Sequence, residues 1–190
     1  MYKAKNYPSL WTITSVSNLL MKNHIKLYKG YVENTNVILN ELKQKNEDLI
    51  CRQSMKLRLG WEFSGMRLHE YFFGNLGKEP MIQSGELLDW LNHCFGSFND
   101  WQEDFIETAM TRGNGWAVLC RDNHTGKLMN IWIQGHATGT LIGCQPLLVI
   151  DAWEHAYMID YGLDRRNYIE RIMNEINWAV VVDRFCKIGI

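Results

Sequence analysis

The sequence predicts an α+β fold: an N-terminal antiparallel α-hairpin followed by a C-terminal domain of helices around a three-stranded antiparallel sheet. Three observations carry this. From Leu19 to about Leu76 there is no proline, and apolar residues recur at intervals of three and four. Between Trp116 and Ile150 the pattern changes to short apolar runs separated by turn residues. From Arg165 to Trp178 helical spacing returns, with Tyr168, Ile169, Ile172 and Ile176 on one side.

The elements follow in order. Leu20, His24, Leu27, Tyr28, Tyr31, Thr35, Ile38 and Leu42 form one stripe on one long helix. Gln44 to Asp48 is polar and predicts a turn, and Leu49 to about Gly74 predicts one or two further helices. Gly77-Lys78-Glu79-Pro80 interrupts the pattern and divides the chain into a helical hairpin over 1–79 and an α/β domain over 80–190. Ser84 to Phe95 predicts a helix carrying Leu87, Leu88, Trp90 and Leu91. Ser97 is a candidate N-cap for the next, with Trp101, Phe105, Ile106 and Ala109, and Gly113-Asn114-Gly115 ends it. Trp116 to Arg121 and Leu128 to Ile133 flank the turn-forming Asp122 to Lys127 as a hairpin. Leu147 to Ile150, bounded by Pro146, completes the sheet as a meander.

Composition narrows the function. Of 190 residues, 46% are hydrophobic and 22% charged, as in a folded protein with a substantial core. A formal net charge of −1 argues against a nucleic-acid binder with a basic surface. No apolar run reaches the roughly 20 residues that span a bilayer, and Met1 to Leu20 lacks the continuous apolar stretch of a signal peptide, so a cytoplasmic location is expected. Five cysteines without a C-x-x-C pair argue against a thiolate zinc site or a disulfide framework, which leaves six histidines as the main source of chemistry.

The densest cluster is Asp151-Ala152-Trp153-Glu154-His155-Ala156-Tyr157. A carboxylate at the end of a buried strand needs a cation, because desolvating it unpaired is costly. His155 returns to the same point if the chain turns after the strand. Asp and His together suit iron, manganese or zinc. The spacing alone fits a hydrogen-bonded Asp–His pair equally well. His24 and His69 lie on apolar faces of the two hairpin helices, where a single histidine is usually a satisfied core residue. Two of them on adjacent helices, with an Asp and a His from elsewhere, suit a mononuclear redox metal.

These residues carry a resemblance. D-A-W-E-H-A-Y at 151–157 closely matches the D-x-W-E-H-A-Y signature of the iron/manganese superoxide dismutases. The match continues through Tyr161, Arg165, Tyr168 and Asn177-Trp178. Phe95-Gly96-Ser97-Phe98, Gly113-x-Gly115-Trp116-Ala117 and His69-x-x-x-Phe73-x-Asn75-Leu76 resemble further segments of that family. The resemblance implies a superoxide dismutase with His24, His69, Asp151 and His155 as metal ligands and a solvent molecule as fifth. It implies one iron or manganese ion per subunit, with iron the expected occupant. Tyr31 is similar to the family's active-site tyrosine at the mouth of the substrate channel, and Trp116 and Trp153 to its aromatic wall. His136 resembles the residue that hydrogen-bonds the bound solvent. Where other members place a Gln four residues before the second-helix ligand, this chain has Gly65, which leaves room for His136. Glu154 resembles the residue that bonds the ligand histidine across a dimer interface, so a homodimer or tetramer is expected.

The chain departs from the family at three points. His24 and Tyr31 are seven residues apart where the family has eight, so a gapless alignment puts Asn23 at the ligand position. Seven residues is within roughly 20° of two helical turns, so His24 still shares a face with Tyr31. The gateway histidine on the first helix is replaced by Tyr28 or Leu27, and the interface tyrosine by Met158. Superoxide is an anion, and Lys26 and Lys29 read either as steering charges or as a solvated helix face. Two other classes remain at this level: a catalytically inactive superoxide-dismutase-like structural or interaction protein, and a two-His-one-carboxylate oxygenase. Retention of all four ligands argues against the first, and the additional His ligand against the second.

Overall fold

The structure is a computed structural model that describes residues 1–44, 48–77, 82 and 84–187. The boundary expected at 79/80, and residues 45–47 of the first turn, lie outside the described residues.

Helix α1, Asn18–Glu41, begins where the Ser17 side chain accepts from the Leu20 amide. Helix α2, Leu49–Gly74, begins likewise at Asp48, which accepts from the Ile50 amide. Residues 49–74 form one helix rather than two, and it packs antiparallel to α1 as the hairpin. The buried face of α1 consists of Leu20, Met21, His24, Tyr28, Val32 and Thr35. Leu27 falls on its flank, 38% exposed. The N-terminal arm is pinned over the hairpin. The Lys5 amide donates to the Tyr28 hydroxyl at 2.9 Å, and Ser9 Oγ donates to the Leu76 carbonyl at 2.9 Å.

In the C-terminal part, α3 (Glu86–Phe95) and α4 (Phe98–Ala109) follow, and Ser97 caps α4 as expected by accepting from the Asp100 amide. Strands β1 (Gly115–Asp122), β2 (Leu128–Gln134) and β3 (Cys144–Asp151) form an antiparallel sheet in the order β2-β1-β3. It is therefore not a meander. Gly115 to Arg121 is continuously buried, and such a strand is satisfied only in the centre, hydrogen-bonded on both edges. Pro146 does not bound β3 but lies within it. It sits on an edge strand, at a register shift opposite Leu119 and Cys120, where a missing N–H is tolerated.

The chain then runs through a 3-10 turn at Glu154–Ala156, the short helix α5 (Met158–Tyr161), α6 (Arg165–Met173) and α7 (Trp178–Cys186). The single helical segment expected over 165–178 is broken before Trp178. Ile176 bridges to Leu76, the Asn177 amide donates to the Asn75 carbonyl, and the Asn177 side chain caps α7. Those bonds tie the end of α2 to the C-terminal part. Arg165 donates to the carbonyls of Met110, Thr111 and Gly113, holding the loop after α4.

Candidate metal centre

Four side chains from four segments converge. His24 comes from α1, His69 from α2, Asp151 from the last position of β3 and His155 from the 3-10 turn. Each offers one donor atom, and these atoms lie within 4.8 Å of one another. Among the described residues this is the only such group. Asp151 Oδ2 is 3.0 Å from His24 Nε2, 3.2 Å from His155 Nε2 and 3.9 Å from His69 Nε2. The carboxylate is held from behind: the Trp153 amide donates to Oδ1 at 2.8 Å, and the Tyr168 hydroxyl donates to the Asp151 carbonyl at 2.9 Å. Asn23, the ligand position of the gapless alignment, is exposed, whereas His24 is buried.

Protonation states follow from hydrogen-bond chemistry. His69 Nδ1 lies 2.6 Å from the Gly65 carbonyl, which can only accept, so the proton sits on Nδ1. Burial, then the neighbouring His24, lowers the His69 pKa to about 3, so its Nε2 is a bare lone pair. That nitrogen is buried without a hydrogen-bond partner and faces the Asp151 carboxylate, lone pair to lone pair. His24 is likewise held neutral by burial. Burial works to raise the Asp151 pKa, but His155 and the hydrogen bond from His24 outweigh it and keep the group ionised. The site is thus short of a cation. One carboxylate and three imidazole nitrogens fit a metal ion of intermediate hardness, and a purely hydrogen-bonded Asp–His cluster leaves the His69 lone pair opposed.

Beside the cluster lies a second, linked group. Trp116 Nε1 donates to His136 Nδ1 at 3.1 Å, since an indole N–H can only donate. The His136 proton is therefore on Nε2, 2.7 Å from the Tyr31 hydroxyl, which accepts it. Burial lowers the His136 pKa to about 4. Burial, with Glu62 and Asp151 nearby, raises that of Tyr31 to about 12. Tyr31 stays protonated and keeps its own O–H to donate elsewhere, with its ring centre 5.1 Å from that of His69. A Cβ on Gly65 would lie 2.8 Å from Tyr31 and 3.2 Å from His136, so the missing side chain makes the space these two share. Trp153 stacks on His136 at 5.0 Å, and Trp116 meets His69 edge-on at 4.9 Å.

Glu154 is exposed and is not one of the grouped donors. Of the two gateway candidates, Tyr28 turns inward, donating to Glu70 Oε1 at 3.1 Å, while Leu27 stays at the surface, as does Met158 at 42% exposure. Two residues to which the sequence assigned no role contribute. Trp61 packs its edge on His136 at 4.6 Å, and Tyr168 anchors the Asp151 backbone. Tyr168 lies within the matched motif, whereas nothing in the local pattern of α2 distinguishes Trp61.

The family model described as iron/manganese superoxide dismutases, C-terminal domain, matches residues 83–184. The protein named as an iron superoxide dismutase of Methanothermobacter thermautotrophicus is 34% identical over 173 residues, covering 86% of this chain and 82% of that protein. The one so named from Pyrobaculum aerophilum is 32% identical over 177 residues, covering 90% and 84%. A protein named as manganese superoxide dismutase 1 of Halobacterium salinarum is 36% identical over 126 residues, 64% of this chain and 61% of that protein. The chain belongs to the iron/manganese superoxide dismutase family.

Proposed function

We propose that this chain disproportionates superoxide to dioxygen and hydrogen peroxide at a mononuclear iron or manganese site held by His24, His69, Asp151 and His155. The observation that carries this is the buried His69 Nε2 lone pair facing the ionised Asp151, with two further imidazoles at hydrogen-bond distance. The relatives' names support the activity; iron and manganese names both occur among them, and we take iron as the occupant.

When bound, the ion supplies a one-electron redox couple that one superoxide can reduce and a second re-oxidise. The chain supplies the rest. Asp151 contributes the negative charge that sets the potential of that couple, and the Trp153 amide and Tyr168 keep it in place. Disproportionation consumes protons. Tyr31, whose hydroxyl accepts from His136 and has its own hydrogen free, donates to the reduced oxygen species, and His136 Nε2 stabilises the phenolic oxygen as it does so. Trp116, fully buried, and Trp153, half-buried, exclude bulk water and larger substrates.

The same reading makes the protein a homodimer, or a tetramer built from it, with Glu154 bonding His155 of the partner subunit. Exposure of Glu154 supports this, as does partial exposure of the His155 ring, 28%. Leu27 and Met158, both exposed, give that interface an apolar contact in place of the family's cross-subunit hydrogen bond. The division into 1–79 and 80–190 is supported by the family model starting at residue 83. No helix among the described residues is long and apolar enough to cross a membrane, and we place the protein in the cytoplasm.

Elemental analysis of protein expressed with each metal, with superoxide consumption measured for each form, tests the assignment. One ion per chain, with higher activity in the iron form, is expected. His24→Ala should lose metal and activity, and Asn23→Ala should keep both. Metal-free protein, or full activity in His24→Ala, would sink it.

A further inference from the structure

His136 sits in a tight turn after β2, yet its two ring nitrogens meet Trp116 and Tyr31 with defined donor and acceptor roles. Two hydrogen bonds do not stop the turn from moving away and taking the ring with it. One face of the ring is covered by Trp153, with an interplanar angle of 26°. Trp61 presses against the same ring at 4.6 Å and against Trp153 at 6.3 Å, nearly perpendicular at 86°. It reaches them because the residue before His136 is Gly135. A Cβ there would lie 2.8 and 3.0 Å from Trp61 Cζ3 and Cη2. Gly135 also has φ +60°, a conformation that disfavours any side chain. The backbone is thus shaped to admit the indole.

We infer that Trp61 is a positioning residue: wedged over Gly135, it clamps His136 so that the directed chain from Trp116 Nε1–H through His136 to the Tyr31 oxygen is held in register. The inference rests on the reading of Tyr31 and His136 as the proton-handling pair. The wedge itself is a contact between protein side chains and backbone, so it can be measured without any assay of superoxide consumption. With Trp61 cut back, the turn relaxes into the vacated space. The Trp116 indole N–H then loses its acceptor for part of the time, and Tyr31 loses its donor.

The experiment is NMR of the metal-free protein, following hydrogen exchange of the Trp116 indole N–H and the ring resonances of His136. Superoxide consumption of the metal-loaded form is measured in parallel. In Trp61→Ala the indole N–H should exchange at least about tenfold faster and the His136 resonances should move, and activity should fall on the order of tenfold or more, as expected for a displaced reacting group. Trp61→Phe, which keeps an aromatic edge, should restore most of both. Leu57→Ala, one turn earlier on α2 and 82% exposed, should change neither. Should Trp61→Ala fail to fold, Trp61→Leu replaces it, retaining apolar bulk without the ring edge, with the same faster exchange expected. Wild-type exchange and wild-type His136 resonances in a folded Ala or Leu variant would overturn the inference. Absence of superoxide consumption in the unmodified metal-loaded protein would overturn the functional reading instead, and leave the NMR answer standing.

Discussion

Replacing Gly65 by alanine adds a single carbon at the point where the Tyr31 and His136 side chains meet. Its Cβ would lie 2.8 and 2.9 Å from Tyr31 Cδ1 and Cε1 and 3.2 Å from His136 Cδ2. Carbon atoms pack comfortably at about 3.5 Å or more, so the Tyr31 ring must recede by roughly 0.7 Å. Taken along the 2.7 Å contact between Tyr31 and His136, that shift stretches it to about 3.4 Å, beyond the preferred hydrogen-bond range. A misplacement of about 1 Å costs on the order of 100-fold in rate, so superoxide consumption should fall about 10- to 100-fold. Stability should change much less. Alanine in a helix interior gains about 1 kcal/mol over glycine, and overpacking loses about 1–3 kcal/mol. The balance is a loss of about 0–2 kcal/mol, a fall in Tm of no more than about 8 °C for a chain of this size. Fast-kinetic measurement of superoxide decay with calorimetry on the same metal-loaded samples reads both numbers. Full activity together with a raised Tm would refute the reasoning, because it would mean that the space over Gly65 does not confine Tyr31 and His136.

Further outcomes follow from the same contacts. The metal-free protein should be acid-sensitive. His69 and His136 are held near 3 and 4, below the 6.5 of an unfolded histidine, so keeping them neutral stabilises the fold fully above pH 6.5. That contribution is lost as the pH falls toward 4 and then 3, at up to about 1.4 kcal/mol per pH unit for each group. Urea denaturation at pH 7.5, 6 and 5 should show the decline, and a flat profile would contradict it. Arg165→Ala removes the guanidinium from the carbonyls of Met110, Thr111 and Gly113. It should cost about 2 kcal/mol, a Tm lowered by roughly 4–8 °C with little change in activity per bound metal. Met158→Lys should shift the protein toward monomer in sedimentation velocity, and an unchanged sedimentation coefficient would place the interface elsewhere.

Much of the fold was legible because the relevant forces are local. Ser97 bonds the amide three residues on, so that helix start follows from a short spacing. Asp151 and His155 were legible for a similar reason: four residues with one turn between them return to one point. The break before Trp178 was not, because Ile176 and Asn177 bond Leu76 and Asn75, about a hundred residues away. Strand order was hidden too. A run that is apolar throughout shows that β1 is buried, while which strand takes each edge depends on where the chain after Gln134 goes.

At the site, the residue types came from the sequence and their chemical states from the packing. The sequence by itself determined that two histidines on a hairpin, an aspartate at a strand end and a histidine in the following turn are available as a set, with Gly65 leaving a gap beside them. Only the tertiary structure decided that His69 carries its proton on Nδ1, that His136 carries its own on Nε2, that Leu27 rather than Tyr28 stays at the surface, and that Trp61 enters over Gly135. Each of those outcomes is fixed by which buried donor, acceptor or ring edge comes within about 3–5 Å, and that depends on segments far apart in the chain being packed against one another.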